Sequence, residues 1–203
     1  MNTAKELYAL TDDVFSPDSC VIESVKEILN CGIKIVQYRS KKPNLDEKII
    51  SNLIEICDKF GAKLILNDNV RLAKKLGAHG VHIGKDDGDF NEARRILGTD
   101  KIIGASCYND LNLALKFQNL GADYVAFGSV FKSPTKPNAT FCDIFSLDLS
   151  QIRVPIALIG GISQANLAQI KELPVKYFAI VSAVYRPNSI TQNLRALEAI
   201  LRA

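Results

Sequence analysis

Acidic and amide side chains follow two neighbouring apolar runs near the middle of the chain. Asn67 and Asp68 end one run, and Asp86 and Asp87 come directly after the next. Short apolar runs are typical of buried strands, and ligands of parallel sheets bind at the carboxyl ends of the strands. Carboxylates brought together there form the hard, oxygen-rich site that Mg²⁺ prefers, particularly beside a phosphate. The pattern favours a magnesium site made by Asp68 and one acid of the Asp86–Asp87 pair.

Helix capping is the alternative role for these acids. Asp often accepts hydrogen bonds from the first turn of a helix, and Asp68 and Asp86 both precede segments with helical spacing. One such acid alone would favour the capping role. Two acids on successive strands, one of them beside Asn67, favour the binding role.

Basic residues occupy equivalent positions on other strands. Arg39 and Lys41 follow the apolar run at residues 33–38, and Lys136 lies in the polar loop after residues 124–128. Arginine grips phosphate through its planar fork, and lysine acts as a point charge. These cations are therefore candidates to neutralise phosphate oxygens, with a solvated strand end as the alternative for Arg39 and Lys41.

A second phosphate site is predicted near the end of the chain. Gly160 and Gly161 close the apolar run at residues 155–159; they either let backbone N–H groups approach a phosphate or only form a tight turn. Val181 and Ser182 end the last run and would add a helix N-terminus. One metal-assisted and one backbone phosphate site predict two phosphorylated ligands that are joined by displacement of diphosphate.

Eight apolar runs alternate with amphipathic segments along the whole chain. The predicted strands are residues 6–10, 33–39, 63–66, 78–83, 102–106, 124–128, 155–159 and 177–181. Asn44 with Glu47 is typical of a capping box before the second helix, and Ser163 is a predicted cap of a later one. Residues 141–152 are predicted to form either a short helix or an irregular connection.

This alternation predicts a closed parallel (β/α)8 TIM barrel, in the α/β class, as one domain over residues 1–203. A doubly wound open sheet is the competing architecture. Such a sheet usually has fewer strands and often a Gly-rich turn after its first strand. The first strand here is followed instead by Thr11, Asp12 and Asp13.

Composition limits the class of protein. The chain has 203 residues, of which 47% are hydrophobic and 23% charged, and a net charge of +3 with scattered basic residues, which does not favour nucleic-acid binding. Five cysteines without a CxxC pair indicate reduced thiols rather than a zinc site. The sequence also lacks a secretory signal and an apolar run of about 20 residues. A cytoplasmic protein that does not bind membranes is expected.

The motifs also occur in a characteristic order. They are Gln37-x-Arg39-x-Lys41, Leu66-Asn67-Asp68, Gly80-Val81-His82-Ile83-Gly84 with Asp87, Gly104-x-Ser106, Gly121-Ala122-Asp123-Tyr124-Val125, Thr135-Lys136, Ile159-Gly160-Gly161-Ile162 and Val181-Ser182-Ala183. In this combination the chain resembles the thiamine-phosphate synthase family, which includes the related thiazole tautomerase group. The resemblance covers residues 7–183.

The resemblance implies a compact (β/α)8 barrel. It also implies a Mg²⁺-dependent transferase that joins 4-amino-2-methyl-5-hydroxymethylpyrimidine diphosphate to thiazole phosphate, or its carboxylated form. The products would be thiamine phosphate and pyrophosphate. Diphosphate would leave first, and the resulting methylene cation would be captured by the thiazole nitrogen.

The resemblance also assigns roles to individual residues. Contacts to the pyrimidine diphosphate would come from Gln37, Arg39, Lys41, Asn67, Ser106 and Lys136. Mg²⁺ would be bound by Asp68 and Asp87, and the thiazole phosphate by Ser133, Pro134, Thr135, Gly161, Val181 and Ser182. Arg39, Lys41, Lys136 and Ser106 would be the catalytic residues, with the cations stabilising the leaving diphosphate. The partners would be these two small phosphorylated heterocycles, with a homo-oligomer left open.

Two other functions fit the same barrel. The first is an isomerase like the thiazole tautomerases, and the second is a non-catalytic sensor of phosphorylated ligands. Both are less favoured, because Gln37, Arg39, Lys41 and the acids form a complete diphosphate-and-metal set. Ser106 lacks a histidine partner that the sequence reveals, so a nucleophilic serine is not favoured. His82 is predicted to be a hydrogen-bonded core or wall residue rather than a base or metal ligand.

Overall fold

The protein forms a closed barrel of eight parallel strands. The computed structural model describes residues 4–84, 88–132 and 140–203. Each strand pairs with the next along the chain, and β1 pairs in parallel with β8, which closes the sheet on itself. The predicted closed (β/α)8 architecture is therefore confirmed, and the open doubly wound sheet is wrong.

The strands and helices alternate as the sequence predicts. The strands are β1 (Glu6–Leu10), β2 (Ile35–Tyr38), β3 (Lys63–Asn67), β4 (Gly80–Ile83), β5 (Ile102–Tyr108), β6 (Tyr124–Phe127), β7 (Ile156–Ile159) and β8 (Tyr177–Ile180). The helices are α1 (Val21–Asn30), α2 (Glu47–Lys59), α3 (Val70–Leu76), α4 (Phe90–Leu97), α5 (Leu111–Asn119), α6 (Leu167–Ile170), α7 (Ser182–Tyr185) and α8 (Ile190–Arg202). Among the helices that the structure describes, none has the length and apolar character needed to cross a bilayer.

Several element boundaries differ from the sequence-based expectation. Helix α2 is capped by Asp46, whose carboxylate accepts hydrogen bonds from the backbone of Lys48 and Ile49, so the capping box predicted at Asn44 is wrong. Helix α6 follows Asn166 rather than Ser163. Residues 141–152, expected to form a short helix or an irregular connection, contain two 3₁₀ turns, Ile144–Ser146 and Leu149–Gln151.

The apolar residues pack in two layers. The outer layer lies between the strands and the helices and holds most buried aliphatic side chains, among them Val36, Leu64 and Leu158. The inner layer fills the barrel and contains Tyr8, Leu10, Ile35, Ile65, Tyr124, Ala126, Ala157 and Ala179. The three alanines lie on β6, β7 and β8 and also line a cavity above this layer. Small side chains on one side of the barrel therefore leave room for a ligand.

Candidate active site

A cavity of about 360 Å³ opens at the carboxyl ends of the strands. Its walls include many of the predicted binding residues, namely Gln37, Arg39, Asn67, Ser106, Gly160, Gly161, Val181 and Ser182. Gln37 and Ser106 lie in the last halves of β2 and β5, and the others end or follow β2, β3, β7 and β8. Because parallel strands end at one rim of the barrel, residues far apart in the sequence meet there.

A chain of hydrogen bonds crosses the floor of this cavity. The Gln37 amide donates to the Tyr8 hydroxyl at 3.0 Å, and the Tyr8 hydroxyl lies 3.0 Å from that of Tyr124. His82 joins Tyr124 to Ser106, with its Nδ1 and its Nε2 each 2.8 Å from a hydroxyl oxygen. Five residues from five strands thus form one polar connection inside an otherwise apolar barrel.

The structure gives Ser106 a histidine partner that the sequence did not reveal. His82 pairs in register with Gly104, and Ser106 lies two residues further along β5 on the same face of the strand. The contact therefore depends on strand register, which the sequence alone does not reveal. The second nitrogen of His82 contacts the phenol of Tyr124. The prediction that His82 is a hydrogen-bonded core or wall residue is confirmed.

The two tyrosines in this hydrogen-bond chain are fully buried, with exposed fractions of 1% for Tyr8 and 2% for Tyr124. Burial raises the pKa of both phenols well above their ordinary value, because the charged form would lose its hydration. Both therefore stay neutral at physiological pH and act as hydrogen-bonding groups. Sequence reasoning missed both; a tyrosine inside a buried strand is a signal, because its hydroxyl needs a partner.

Arg39, which directly follows β2, is held in place by the loop after β1. Its guanidinium lies 3.6 Å from the Asp12 carboxylate, and both side chains are about one-sixth exposed, at 16% and 15%. The Arg39 backbone N–H donates to the Thr11 hydroxyl at 2.9 Å. Asp12 also lines the cavity, and the sequence reasoning did not select it as a site residue. The geometry holds the Arg39 guanidinium at the cavity wall.

Lys41 follows Arg39 in the loop after β2. Its side chain is exposed, and it is not among the residues that line the cavity. Its backbone N–H donates to Asp13 at 2.7 Å. Burial raises the pKa of Asp13, but this backbone bond, the Ser40 hydroxyl and the nearby Lys42 and Arg39 charges outweigh it, and the net pKa is lowered. The Asp13 carboxylate therefore remains charged and holds the loop.

Asp68 does not cap helix α3. That helix is capped by Asn69, whose side chain accepts the backbone N–H of Leu72 at 2.9 Å. Asp68 has a left-handed backbone with φ of 64°, and its carboxylate accepts a hydrogen bond from the Asn67 amide. Asp tolerates this conformation better than most residues, but it remains strained. The capping alternative is therefore wrong for Asp68, which instead lines a second cleft together with Arg71 and Asp89.

The remaining predicted residues lie outside the described part of the chain. They are Asp86, Asp87, Ser133, Pro134, Thr135 and Lys136. Helix α4, which follows the first two, is capped by Asp89 through a 2.9 Å bond from the backbone of Glu92. The roles expected for these six residues stay predictions.

The glycine pair after β7 is required by close packing. Gly160 and Gly161 have φ of 103° and 67°. A Cβ on Gly161 would lie 2.5 Å from the Lys132 carbonyl oxygen, and one on Gly160 would lie 2.1 Å from the Ser129 hydroxyl. Larger residues would be both strained and obstructed, so the backbone itself forms this part of the wall.

Fold and site together define a (β/α)8-barrel enzyme with a ligand cavity at the carboxyl ends of its strands. The family model of thiamine monophosphate synthase matches residues 7–184. A thiamine-phosphate synthase of Thiobacillus denitrificans is 40% identical over 202 residues, which cover 97% of this chain and 95% of the relative.

A thiamine-phosphate synthase of Methylobacillus flagellatus is 42% identical over 195 residues, covering 93% and 91% of the two chains. The solved thiamine phosphate pyrophosphorylase of Pyrococcus furiosus superposes with a TM-score of 0.86 at 29% identity, covering 98% and 96%. The chain belongs to the thiamine monophosphate synthase family.

Proposed function

We propose that this enzyme joins 4-amino-2-methyl-5-hydroxymethylpyrimidine diphosphate to thiazole phosphate with release of pyrophosphate, or to the carboxylated form of that phosphate with release of pyrophosphate and CO₂. The product is thiamine phosphate. Family membership and the shared name of relatives at about 40% identity support this reaction. The structural observation that supports it most is the cavity into which five strands bring Gln37, Arg39, Asn67, Ser106, Gly161, Val181 and Ser182.

The pyrimidine diphosphate is assigned to the side of the cavity formed by β2, β3 and β5. Gln37 and Ser106 lie at its floor and offer hydrogen bonds to a heterocycle, while Asn67 lies at the end of β3. Arg39 supplies positive charge for the diphosphate at the wall, and Lys41 and Lys136 are proposed to add charge from the loops. Paired cations of this kind stabilise the negative charge that develops on a leaving diphosphate.

A magnesium ion is proposed to bind at Asp68. Mg²⁺ binds through one or two carboxylates, waters and substrate phosphate oxygens, so it does not need a closed cage of protein ligands. Asp68 offers a carboxylate at the end of β3, held in place by the Asn67 amide. Asp87 is the proposed second ligand. When bound, the ion would neutralise charge on the diphosphate.

The thiazole phosphate is assigned to the opposite wall. Gly161, Val181 and Ser182 line the cavity after β7 and β8, and Ser133, Pro134 and Thr135 are proposed to complete the site. Binding of both substrates in this one cavity would place the thiazole nitrogen against the pyrimidine methylene. Alignment of two bound reactants accelerates a reaction by removing the entropy of their encounter.

In the proposed mechanism, the bond between the methylene carbon and the diphosphate oxygen breaks first. The electron pair leaves with diphosphate, where Arg39, Lys41 and Lys136 stabilise it. The thiazole nitrogen then donates its lone pair to the methylene cation. No proton has to be removed for this bond to form, so a protein base is not required.

The experiment is a measurement of pyrophosphate release from the two substrates, with Mg²⁺ and with EDTA. Metal-dependent release with an equal amount of thiamine phosphate is expected. Pyrophosphate without thiamine phosphate would mean hydrolysis and would contradict the proposal. Release under neither condition would favour the tautomerase-like isomerase, for which thiazole isomerisation is then followed, or the sensor.

We further propose a cytoplasmic location and two small phosphorylated heterocycles as the partners, without nucleic acid or membrane. The five cysteines are free thiols, which is typical of proteins in a reducing compartment. A homo-oligomer is compatible with the fold. Light scattering of the purified protein at micromolar concentration measures the oligomeric state directly.

A further inference from the structure

The hydrogen-bond chain on the cavity floor has a direction that its chemistry determines. The Gln37 nitrogen can only donate, so the Tyr8 oxygen is the acceptor of that bond. The other hydrogen-bonding neighbour of the Tyr8 hydroxyl is the oxygen of Tyr124, 3.0 Å away, so the Tyr8 proton is assigned to this contact. The buried side-chain polar atoms of the described residues all have partners, so this assignment leaves the phenols satisfied.

The same reasoning continues through the histidine. Once Tyr124 accepts from Tyr8, its own proton is donated to Nδ1 of His82, which must then be the unprotonated nitrogen. A neutral imidazole with Nδ1 unprotonated carries its hydrogen on Nε2. This N–H donates to the oxygen of Ser106, 2.8 Å away. The Ser106 oxygen then accepts this bond, and the Ser106 O–H can donate to another acceptor.

A glycine makes this arrangement possible. Gly104 lies on β5 opposite Tyr124 on β6, and a Cβ at this position would lie only 2.0 Å from Cζ of the Tyr124 ring. Without a side chain at Gly104, the phenol reaches the barrel axis between Tyr8 and His82. The position of the Tyr124 hydroxyl in the chain thus depends on the absence of one carbon atom.

We propose that Tyr8 and Tyr124 are positioning residues, which act through His82 so that the Ser106 hydroxyl donates its proton to an acceptor on the ligand. A ring nitrogen of an aminopyrimidine is such an acceptor. The direction of the hydrogen-bond chain follows from the Gln37 amide as its first donor and from the need of each buried hydroxyl proton for an acceptor. The part that Ser106 plays toward the pyrimidine rests on the proposed function.

The direct test is the tautomer of His82 in the ligand-free protein. The chain has two histidines, His79 and His82, so selective ¹⁵N labelling gives a simple spectrum, and a His79→Gln variant assigns it. At pH 8, above the ordinary histidine pKa of about 6.5, the native protein is expected to show His82 with Nδ1 unprotonated and hydrogen on Nε2. Hydrogen on Nδ1 in the native protein would overturn the proposal.

Variants test whether the tyrosines set this tautomer. Gln37→Glu replaces the donor with a carboxylate that only accepts, and it is expected to reverse the chain and move the hydrogen to Nδ1. Tyr8→Phe removes the first phenol and is expected to give both tautomers. Tyr177→Phe is the matched control, because its ring lies 6.0 Å from Tyr8 in the same aromatic cluster but its hydroxyl is not part of the chain. An unchanged tautomer in both Gln37→Glu and Tyr8→Phe overturns the proposal.

Kinetics supply a second readout. Tyr8→Phe is expected to raise KM for the pyrimidine diphosphate about 3- to 10-fold with kcat within about twofold, the effect of one weakened hydrogen bond. In a Ser106→Ala background the same change is expected to have no further effect, because both act through one hydroxyl. Additive effects would contradict the coupling. If the native enzyme makes no thiamine phosphate, the proposed function fails, and the His82 tautomer still decides the direction of the chain.

Discussion

Nε2 of His82 lies 2.8 Å from Oγ of Ser106, on a neighbouring strand of the barrel. A serine beside a histidine is often read as a nucleophile and its base. Here the other ring nitrogen contacts Tyr124, a buried neutral phenol, rather than the carboxylate of a catalytic triad. The pair is therefore better suited to hold a hydroxyl in one orientation than to generate an alkoxide.

The pairing of Asp12 with Arg39 is expected to matter for activity. Asp12→Asn keeps the size of the side chain but removes the charge that holds the guanidinium at 3.6 Å. We expect kcat/KM for the pyrimidine diphosphate to fall about 10-fold, because a partly buried arginine loses its orientation. Steady-state kinetics at fixed Mg²⁺ measure this.

Asp18→Asn is the matched control for that change. Asp18 pairs with Lys42 on the surface, where both side chains are about 40% exposed, at 38% and 41%. Surface ion pairs contribute little to stability. We therefore expect kcat/KM to stay within about twofold of native and the free energy of unfolding to stay close to native. Equal losses in the two variants would show that Asp12 has no special role.

Asp68→Asn tests the proposed metal ligand without changing the backbone. Asparagine adopts the left-handed conformation seen at φ of 64° as readily as aspartate, but it lacks the charge that attracts Mg²⁺. We expect kcat/KM to fall at least about 100-fold at 1 mM Mg²⁺, with partial recovery at higher concentration. Kinetics over a range of Mg²⁺ concentrations measure this.

Asp89→Asn provides the comparison. Asp89 caps helix α4, and asparagine caps helices about as well as aspartate. Unfolding free energy and activity are therefore expected to stay close to native. If Asp68→Asn is as active as this control at every Mg²⁺ concentration, the metal assignment is wrong.

Gly161→Ala is expected to act on the thiazole phosphate. The new Cβ would meet the Lys132 carbonyl at 2.5 Å and push the backbone of the cavity wall. We predict that KM for the thiazole phosphate rises about 10-fold or more while KM for the pyrimidine diphosphate changes less than about threefold. Bisubstrate kinetics separate the two constants.

Gly77→Ala separates strain from obstruction. Gly77 ends helix α3 with φ of 77°, and a Cβ there would meet nothing within 4 Å. It should lower the unfolding free energy by about 1 kcal/mol through backbone strain and leave both KM values unchanged. A rise in both KM values in Gly161→Ala would indicate general distortion of the barrel and would count against the separate phosphate site.

The cysteines are expected to differ strongly in reactivity. Burial raises the pKa of the Cys57 and Cys107 thiols to about 12 and that of Cys142 to about 11. At pH 8 only roughly one thiol in 10³ to 10⁴ at these positions is then the reactive thiolate. The half-buried Cys20 and Cys31 should therefore react with a disulfide reagent first.

Colorimetric titration and peptide mass mapping check this order. Two thiols are expected to react rapidly in the native protein and all five after denaturation. Raising the pH toward 11 should accelerate the labelling of the three buried thiols, because a larger fraction of each is then ionised. Rapid labelling of Cys107 at pH 8 would contradict the burial that the barrel imposes on it.

The fold could be predicted because its signal is local and repeated. Each strand is an apolar run such as residues 64–66, and each unit ends where polar residues begin, so errors at single boundaries did not change the count of strands. Caps were predicted less well. Asp46 rather than Asn44 caps α2, because several neighbouring polar residues can satisfy the same orphan N–H groups and tertiary packing selects among them.

The site could be predicted only where the residue type itself indicated the chemistry. Charged and glycine residues at strand ends, such as Arg39 and Gly161, were found in this way and do line the cavity. Tyr8 and Tyr124 were not, because they are 116 residues apart and their contact arises from barrel closure and register. Asp12 was missed because nothing in the sequence shows that the first two loops pack together.

Closure of the barrel joins β1 to β8, which lie at opposite ends of the chain. Tyr8 and Leu10 form one side of the cavity and Ala179 and Val181 the adjacent side, so these walls meet only after some 170 intervening residues are in place. Contacts of such long range form late, because loop closure is entropically unfavourable. During synthesis, a nascent chain whose β8 has not yet emerged from the ribosome lacks a complete substrate site. Catalytic competence then arises in one step when the last strand docks, and substrates present in the cell stabilise that final state rather than its precursors.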